Sequence, residues 1–162
     1  LPLSATITTN EIFETFLGDY EELKAFFHGH SYSGNPLSCA AAIANIEIFE
    51  EEKTLEGLKE KIATFEDELK EFKGLSNVAS IRNKGLMAGI DLKLNVDEDI
   101  SYSIKERIGK KVCENAMKDG VLIRPLGDTI VLMPPISIKT DELKKLTRTV
   151  YKSIKEITEK DD

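Results

Sequence analysis

The sequence is poor in residues that mark several classes of protein. Its 162 residues include no tryptophan and only two cysteines, Cys39 and Cys113. Two cysteines so far apart in sequence do not make a disulfide framework, so we expect free thiols and a cytoplasmic, reducing environment. No apolar run reaches the roughly 20 residues that a membrane-spanning helix needs. We therefore expect no membrane contact.

Basic residues are outnumbered by acidic ones. The chain carries 22 Lys and Arg against 29 Asp and Glu, a formal net charge of −7. Nucleic-acid binding requires clustered Lys and Arg that neutralise phosphates. The basic residues here are spread along predicted helices, so we expect no nucleic-acid partner. A hydrophobic fraction of 41% with 31% charged residues predicts a packed core beneath a solvated surface.

From residue 54 onward, the hydrophobic spacing predicts a compact α+β domain. Apolar residues recur every three or four positions over 54–73, which is typical of one helix face. This helix could form a coiled coil, but the strands that follow favour packing against a sheet. The predicted helices cover 54–73, 103–118 and a segment capped by Thr140, and the predicted strands cover 78–82, 86–94, 121–124 and 129–133. We expect a mostly antiparallel sheet with helices on one face, and Cys113 in the core.

Residues 1–53 do not complete a domain by themselves. Residues 1–9 are typical of a short strand or an extended piece, and Asn10 is a predicted helix cap. Asn35 followed by Pro36 predicts the start of a helix that reaches about Glu52. We expect residues 1–53 to end a larger α/β domain and residues 54–162 to form a separate small domain.

The loop over residues 28–36 is the first candidate site. It combines two glycines, several hydroxyl groups and the start of a helix, which together favour an anion such as phosphate. An ordinary polar loop before a capped helix is the alternative. His28 and His30 would need further ligands to bind a metal, and no second cluster of ligands occurs, so we expect no metal site.

Arg124 is the second candidate. It follows the apolar residues Val121, Leu122 and Ile123 at the end of a predicted strand. A guanidinium is costly to bury without a partner, and a substrate carboxylate would supply one through two parallel hydrogen bonds. The alternative is a structural salt bridge with Asp128 or Glu142.

These motifs, in this order, resemble the class III pyridoxal-phosphate-dependent aminotransferases. Residues 26–42, FFHGHSYSGNPLSCAAA, are similar to the family motif H-G-x-[ST]-x-x-G-N-P-x-A-C-A-A. Residues 120–135, GVLIRPLGDTIVLMPP, match a second family segment, and residues 1–6 look like the segment just after the family's Schiff-base lysine. The resemblance covers essentially the whole chain. It implies a fold type I transferase, of which this chain is the C-terminal part.

The resemblance also implies a role for each candidate residue. Ser31 matches the residue whose hydroxyl binds the phosphate of pyridoxal 5'-phosphate, with the backbone of His30 at the same group. Gly29 matches a position that lines the substrate pocket, and Arg124 matches the arginine that binds the substrate carboxylate. In the family, the loop reaches the partner subunit's active site, which implies a homodimer with shared sites.

The same resemblance implies chemistry that this chain does not complete. The Schiff-base lysine lies upstream of Leu1, so we expect no catalytic residue here and no activity from the chain alone. S-adenosylmethionine as amino donor and 8-amino-7-oxononanoate as acceptor are the implied substrates. A transaminase for ornithine, 4-aminobutyrate or β-alanine is one alternative, and a non-catalytic folding or dimerisation module is another. An unrelated α+β binding domain would leave three ordered motif matches unexplained.

Overall fold

A computed structural model describes residues 1–159; the last three residues of the predicted small domain lie outside this range. The chain divides into two compact units, Leu1–Lys53 and Thr54–Asp162. None of the helices within the described range is long and apolar enough to cross a membrane.

The second unit is built on a four-stranded antiparallel sheet. Its strands are β1 (Val78–Lys84), β2 (Met87–Leu92), β3 (Arg124–Leu126) and β4 (Thr129–Leu132), in the spatial order β1-β2-β4-β3. Helices α3 (Thr54–Glu71), α4 (Ile108–Lys118) and α5 (Thr140–Thr158) complete it. The α+β prediction is confirmed, with each of the three helices and four strands present.

The core lies between one face of the sheet and the three helices. Alternate residues of β2 and β4 are buried because successive side chains of a strand point to opposite faces. The buried residues of this cluster include Phe65, Leu69, Ile90, Val112, Cys113, Ala116, Ile130, Leu132, Leu143, Val150 and Ile154. The predicted core position of Cys113 is confirmed. The opposite sheet face is free of helices in the described part of this unit.

The first unit has almost no core of its own. It contains α1 (Asn10–Glu14), a 3₁₀ turn at Tyr20–Glu22 and α2 (Pro36–Glu51). Among its 53 fully described residues, Ser38 is the one buried residue. Large apolar side chains such as Ile7, Phe27 and Ile43 are mostly exposed. The apolar residues of helix α2 are spread around the helix and not gathered on one face, a pattern typical of buried helices.

Several predicted boundaries were wrong. Residues 1–9, expected as a short strand or an extended piece, contain no strand. Thr9, rather than Asn10, caps α1 by accepting a hydrogen bond from the Ile12 N–H. The helix predicted from residue 103 begins at Ile108, because Arg107 has a left-handed backbone with φ 53°.

Two further boundaries shifted by a few residues. Strand β3 begins at Arg124, whereas a strand was predicted over 121–124. The cap of α5 is Lys139 rather than Thr140, and its N–H donates to the Glu142 carboxylate at 3.0 Å. The Asn35 cap of α2 was predicted correctly, since its side-chain oxygen accepts from the Leu37 N–H at 3.0 Å.

A two-residue turn, Gly127 and Asp128, joins β3 to β4. Gly127 has φ 60°, which glycine adopts without the steric cost that other residues meet. Gly109, in the first turn of α4, is buried directly against this turn. A Cβ atom on Gly109 would overlap the Gly127 carbonyl and lie 2.9 Å from the Pro125 Cβ. The start of α4 and the hairpin therefore meet backbone to backbone.

We predict that Gly109→Ala destabilises the chain. The added methyl group has no space, and overpacking of this kind costs roughly 1–3 kcal/mol. The matched control is Gly57→Ala in α3, where a Cβ meets nothing within 4 Å. The free energy of unfolding of the control should rise by roughly 0.5–1 kcal/mol, because alanine favours a helix more than glycine does. Urea unfolding would measure both, and equal effects would contradict the close contact.

We predict that Cys113 is unreactive in the folded chain. Burial, assisted by the charge of Glu114, raises the pKa of its thiol to about 11. The thiolate that attacks disulfide reagents is therefore almost absent at pH 8. Partly exposed Cys39 should react with Ellman's reagent first, and Cys113 only on unfolding. In a Cys113→Ser variant, the second thiol that reacts on unfolding should be missing. If a second thiol still reacted, the assignment of the unreactive thiol to Cys113 would be refuted.

Candidate functional site

The loop before α2 is folded into consecutive turns. The Ser33 N–H donates to the His30 carbonyl at 2.9 Å, and the Asn35 N–H donates to the Tyr32 carbonyl at 3.1 Å. The Ser33 hydroxyl accepts from the His30 N–H at 3.2 Å. The loop is thus held by its own hydrogen bonds and ends at the N-terminus of α2.

Gly29, His30 and Ser31 are all exposed on this loop. No hydrogen bond joins the Ser31 hydroxyl to another of residues 1–159, so this hydroxyl is available to a ligand. The His30 N–H is already engaged by Ser33, which the sequence did not reveal. Among residues 1–159, no group of three potential metal ligands occurs.

A series of edge-to-face ring contacts leads into the loop. The ring of Phe16, just beyond α1, lies 5.3 Å from that of Phe26, which lies 5.5 Å from His28. His28 lies in turn 5.1 Å from His30. Aromatic pairs at this spacing are attractive, so the rings support the loop from one side.

Arg124 lies on the edge strand β3, with its side chain on the open face of the sheet. The register pairs it with Val131 of β4, on the face opposite the buried Ile130. An open groove of about 680 Å³ surrounds it. The groove is lined by Leu122, Ile123, Arg124, Pro125, Leu126, Val131 and Met133.

No ion pair occupies Arg124 within residues 1–159. The carboxylates considered as salt-bridge partners are used elsewhere. Asp128 accepts from the Gly109 N–H at 3.1 Å, and Glu142 accepts from the Lys139 N–H. The structural salt bridge is thus not observed. An exposed guanidinium among apolar side chains suits a ligand with one anionic group and an aliphatic body.

A polar network on the same sheet face was missed by the sequence analysis. Asp91, near the end of β2, forms an ion pair with Arg82 and accepts hydrogen bonds from the hydroxyls of Ser80 and Thr129. The one available signal was an acid inside an otherwise apolar strand. The network joins β1, β2 and β4 across the open face.

The network extends toward Arg124 through the strand register. Arg82 pairs with Gly89, Gly89 with Val131, and Val131 with Arg124. The two arginines therefore share one cross-strand row, at opposite edges of the sheet. Gly89 leaves room for Arg82, whose guanidinium nitrogen would lie 3.3 Å from a Cβ at that position.

The pKa of Asp91 reflects opposing influences. Partial burial raises it, but hydrogen bonds from Ser80, Thr129 and Arg82, together with the charge of Arg82, outweigh burial and hold the pKa below its usual value. Asp91 is thus a permanent anion at neutral pH, and it neutralises Arg82. Arg124 has no such carboxylate partner within residues 1–159, so its charge is available to a ligand.

The two candidate groups belong to different units of the chain. Gly29, His30 and Ser31 belong to Leu1–Lys53, and Arg124 belongs to Thr54–Asp162. The loop offers a hydroxyl beside a helix N-terminus, and the sheet offers a free guanidinium in an apolar groove.

Comparison with known proteins identifies similar chains. The profile of the Aminotransferase class-III family matches residues 1–154. The adenosylmethionine-8-amino-7-oxononanoate aminotransferase of Aquifex aeolicus is 46% identical over 157 residues, which cover 97% of this chain and 35% of the relative. A probable gamma-aminobutyrate transaminase 3 of Oryza sativa is 31% identical over 146 residues, covering 90% of this chain and 29% of the relative.

A solved structure agrees with these sequence matches. The adenosylmethionine-8-amino-7-oxononanoate aminotransferase of Methanocaldococcus jannaschii aligns with a TM-score of 0.88 at 40% identity. The alignment covers 93% of this chain and 34% of the solved chain. The predicted fold class is confirmed. The chain spans about a third of the length of the curated relatives it matches.

We predict that Arg124→Gln leaves the stability of the chain unchanged within about 0.5 kcal/mol, because the side chain has no partner to lose. Arg82→Gln is the matched control. It should cost about 1 kcal/mol, because Asp91 loses a charged hydrogen-bond donor. Urea unfolding at neutral pH checks both. A large loss for Arg124→Gln would indicate a structural salt bridge after all.

We predict an acid-dependent contribution from Asp91. Its folded-state pKa is below the unfolded value of about 3.9, so its stabilisation is complete above that pH and is lost as pH falls through the folded pKa. The stability difference between the wild type and Asp91→Asn should be constant at neutral pH and shrink in this acidic range. Denaturation series at several pH values would show it; a difference independent of pH would contradict the assignment.

Proposed function

The chain belongs to the class III aminotransferase family, and we propose that it works as the C-terminal part of an enzyme that moves an amino group from S-adenosylmethionine to 8-amino-7-oxononanoate. The product would be 7,8-diaminononanoate, a step of biotin biosynthesis. We assign residues 1–53 to the end of the cofactor-binding large domain and residues 54–162 to the small domain. The observation that carries the proposal is Arg124, charged and unpaired in an apolar groove.

Arg124 is proposed to bind the carboxylate of the acceptor. A guanidinium offers two parallel donors to a carboxylate, which fixes both the position and the orientation of the acid. The acceptor has a long aliphatic chain between its carboxylate and its ketone. The apolar side chains around Arg124 (Leu122, Leu126 and Met133) are 82%, 74% and 68% exposed. Covering them with an aliphatic chain is favourable because apolar surface leaves water.

The loop is proposed to hold the phosphate of pyridoxal 5'-phosphate. The residues fit this group: the Ser31 hydroxyl is free to donate, and the N-terminus of α2 follows within the same segment. The turn around His30 fixes the direction of Ser31, and Gly29 leaves space for substrate. When bound, the cofactor supplies the electron sink for amino-group transfer.

We propose that the enzyme is a cytoplasmic homodimer in which this loop completes the partner's site. The support is the exposed apolar surface of the first unit, including Phe27, Tyr32 and Leu37. Surfaces of this kind are typical of interfaces. Free Cys39 and Cys113 agree with a reducing compartment.

Another class III transaminase, acting on 4-aminobutyrate, ornithine or β-alanine, is the alternative function. The observation in its favour is the 31% identity to the Oryza sativa relative. The 46% identity to the Aquifex aeolicus relative favours the first proposal. As an isolated segment, the chain would be an inert folding or dimerisation module, which agrees with the first unit's lack of a core.

The visible absorption of the complete protein with bound pyridoxal 5'-phosphate tests the proposal. S-adenosylmethionine should change the spectrum of the bound cofactor, and 8-amino-7-oxononanoate should restore it. A response to ornithine or 4-aminobutyrate alone would keep the family and reject the substrates. The absence of any cofactor spectrum would reject the cofactor role of the loop.

We predict that Arg124→Gln in the complete enzyme raises the KM for 8-amino-7-oxononanoate by about 100-fold, because a charged, two-pronged hydrogen bond is lost. The KM for the methyl ester of the acceptor should change little. Arg148→Gln, an exposed arginine on α5, is the matched control and should leave both values unchanged. Equal losses for acid and ester would count against carboxylate binding by Arg124.

A further inference from the structure

We propose that Asp128 is a positioning residue that sets the place of the Arg124 guanidinium by fixing the hairpin that carries it. This inference rests on the proposed role of Arg124 in carboxylate binding. Asp128 would act through another residue and not on substrate or cofactor directly. Its effect passes through the backbone of β3, β4 and the start of α4.

Asp128 joins three elements through two hydrogen bonds. Its side-chain Oδ1 accepts from the N–H of Gly109, in the first turn of α4, at 3.1 Å. Its backbone carbonyl accepts from the N–H of Leu92, at the end of β2, also at 3.1 Å. The turn of the β3–β4 hairpin is therefore fastened to a helix on one side and to the sheet on the other.

The carboxylate is well suited to the first of these bonds. The N-terminus of a helix has N–H groups without partners inside the helix and a partial positive charge. Arg107, the residue that precedes α4, makes no side-chain cap. Asp128 supplies the missing acceptor from a distant part of the sequence. Gly109 permits the approach, because any larger residue would collide with the Gly127 carbonyl.

The position of Arg124 depends on these two hydrogen bonds, because its own side chain has no ion-pair partner among residues 1–159. Strand β3 is three residues long, lies at the sheet edge and pairs with β4 alone. Arg124 has no ion pair within the described residues, so its position is inherited from the hairpin backbone. A two-pronged grip on a carboxylate depends on both distance and orientation. Small movements of the turn would therefore weaken substrate binding.

A direct ion pair between Asp128 and Arg124 would be a different explanation. No such pair occurs among the salt bridges of residues 1–159, and the Asp128 carboxylate is engaged by Gly109. The influence of Asp128 on Arg124 is thus mechanical. The two explanations differ in what Asp128→Asn should do, since an amide oxygen still accepts from an N–H but carries no charge.

The test uses the complete enzyme with bound pyridoxal 5'-phosphate, with 8-amino-7-oxononanoate and its methyl ester as acceptors. Asp128→Ala should raise the KM for the acid about tenfold, leave kcat within about twofold and barely change the KM for the ester. Asp128→Asn, by contrast, should leave the KM for the acid near the wild-type value. If Asp128→Ala does not fold, Asp128→Glu displaces the carboxylate by one methylene and should raise the same KM severalfold.

The matched control is Glu142→Ala. Glu142 also caps a helix through one carboxylate hydrogen bond, to the Lys139 N–H at 3.0 Å, but has no bond to the hairpin. It should lower the thermal midpoint much as Asp128→Ala does and leave the preference for acid over ester unchanged. A loss of preference in Glu142→Ala would mean that general destabilisation explains the effect, and would overturn the inference.

The double variant with Arg124→Gln decides between outcomes. Asp128→Ala should raise the KM for the acid little beyond the value of Arg124→Gln alone, since both changes act on one interaction. The effect of Glu142→Ala should be the same with and without Arg124→Gln. If Arg124→Gln loses the preference for the acid while Asp128→Ala keeps it, the positioning role alone is overturned. If Arg124→Gln itself keeps the preference, the proposed function of Arg124 fails, and the positioning role fails with it.

Discussion

The contact between the start of α4 and the turn of the β3–β4 hairpin is the constraint on which the small unit depends. The Gly109 N–H donates to Asp128, and the same stretch of backbone packs directly against Gly127. This contact sets how closely the start of α4 approaches the hairpin. It also fixes the edge strand that presents Arg124. The hydrogen bond from Gly109 to Asp128, and the absence of a side chain on Gly109, thus link the core to the open face of the sheet.

The two arginines on the open face of the sheet differ in their partners. Arg82 is neutralised by Asp91, whose other hydrogen bonds come from Ser80 and Thr129. Arg124 stands in the same cross-strand row without an acid. The first arginine stabilises the sheet, and the second retains a charge that nothing in residues 54–159 satisfies. This difference supports assigning Arg124, and not Arg82, to a ligand.

Much of the fold was predictable because it follows from local rules. The apolar stripe over 54–73 gave the position of α3, and the Asn35-Pro36 pair gave the start of α2. The errors fall where local signals are weak. Arg107 adopts a left-handed backbone that ends the predicted continuation of α4 toward residue 103. Residues 1–9 were expected as a short strand or an extended piece, and no strand forms there, because a strand needs a hydrogen-bonded neighbour.

The sequence by itself determined the order of the elements, the α+β class and the candidates Gly29, His30, Ser31 and Arg124, because spacing and motifs are local properties. Tertiary structure decided which groups are partners. It placed Asp128 on the Gly109 N–H, 19 positions away, and Asp91 beside Arg82 and Thr129. It also left Arg124 unpaired within the described residues, where the sequence alone had favoured a structural salt bridge. Partnership depends on strand register and helix placement, which no single segment encodes.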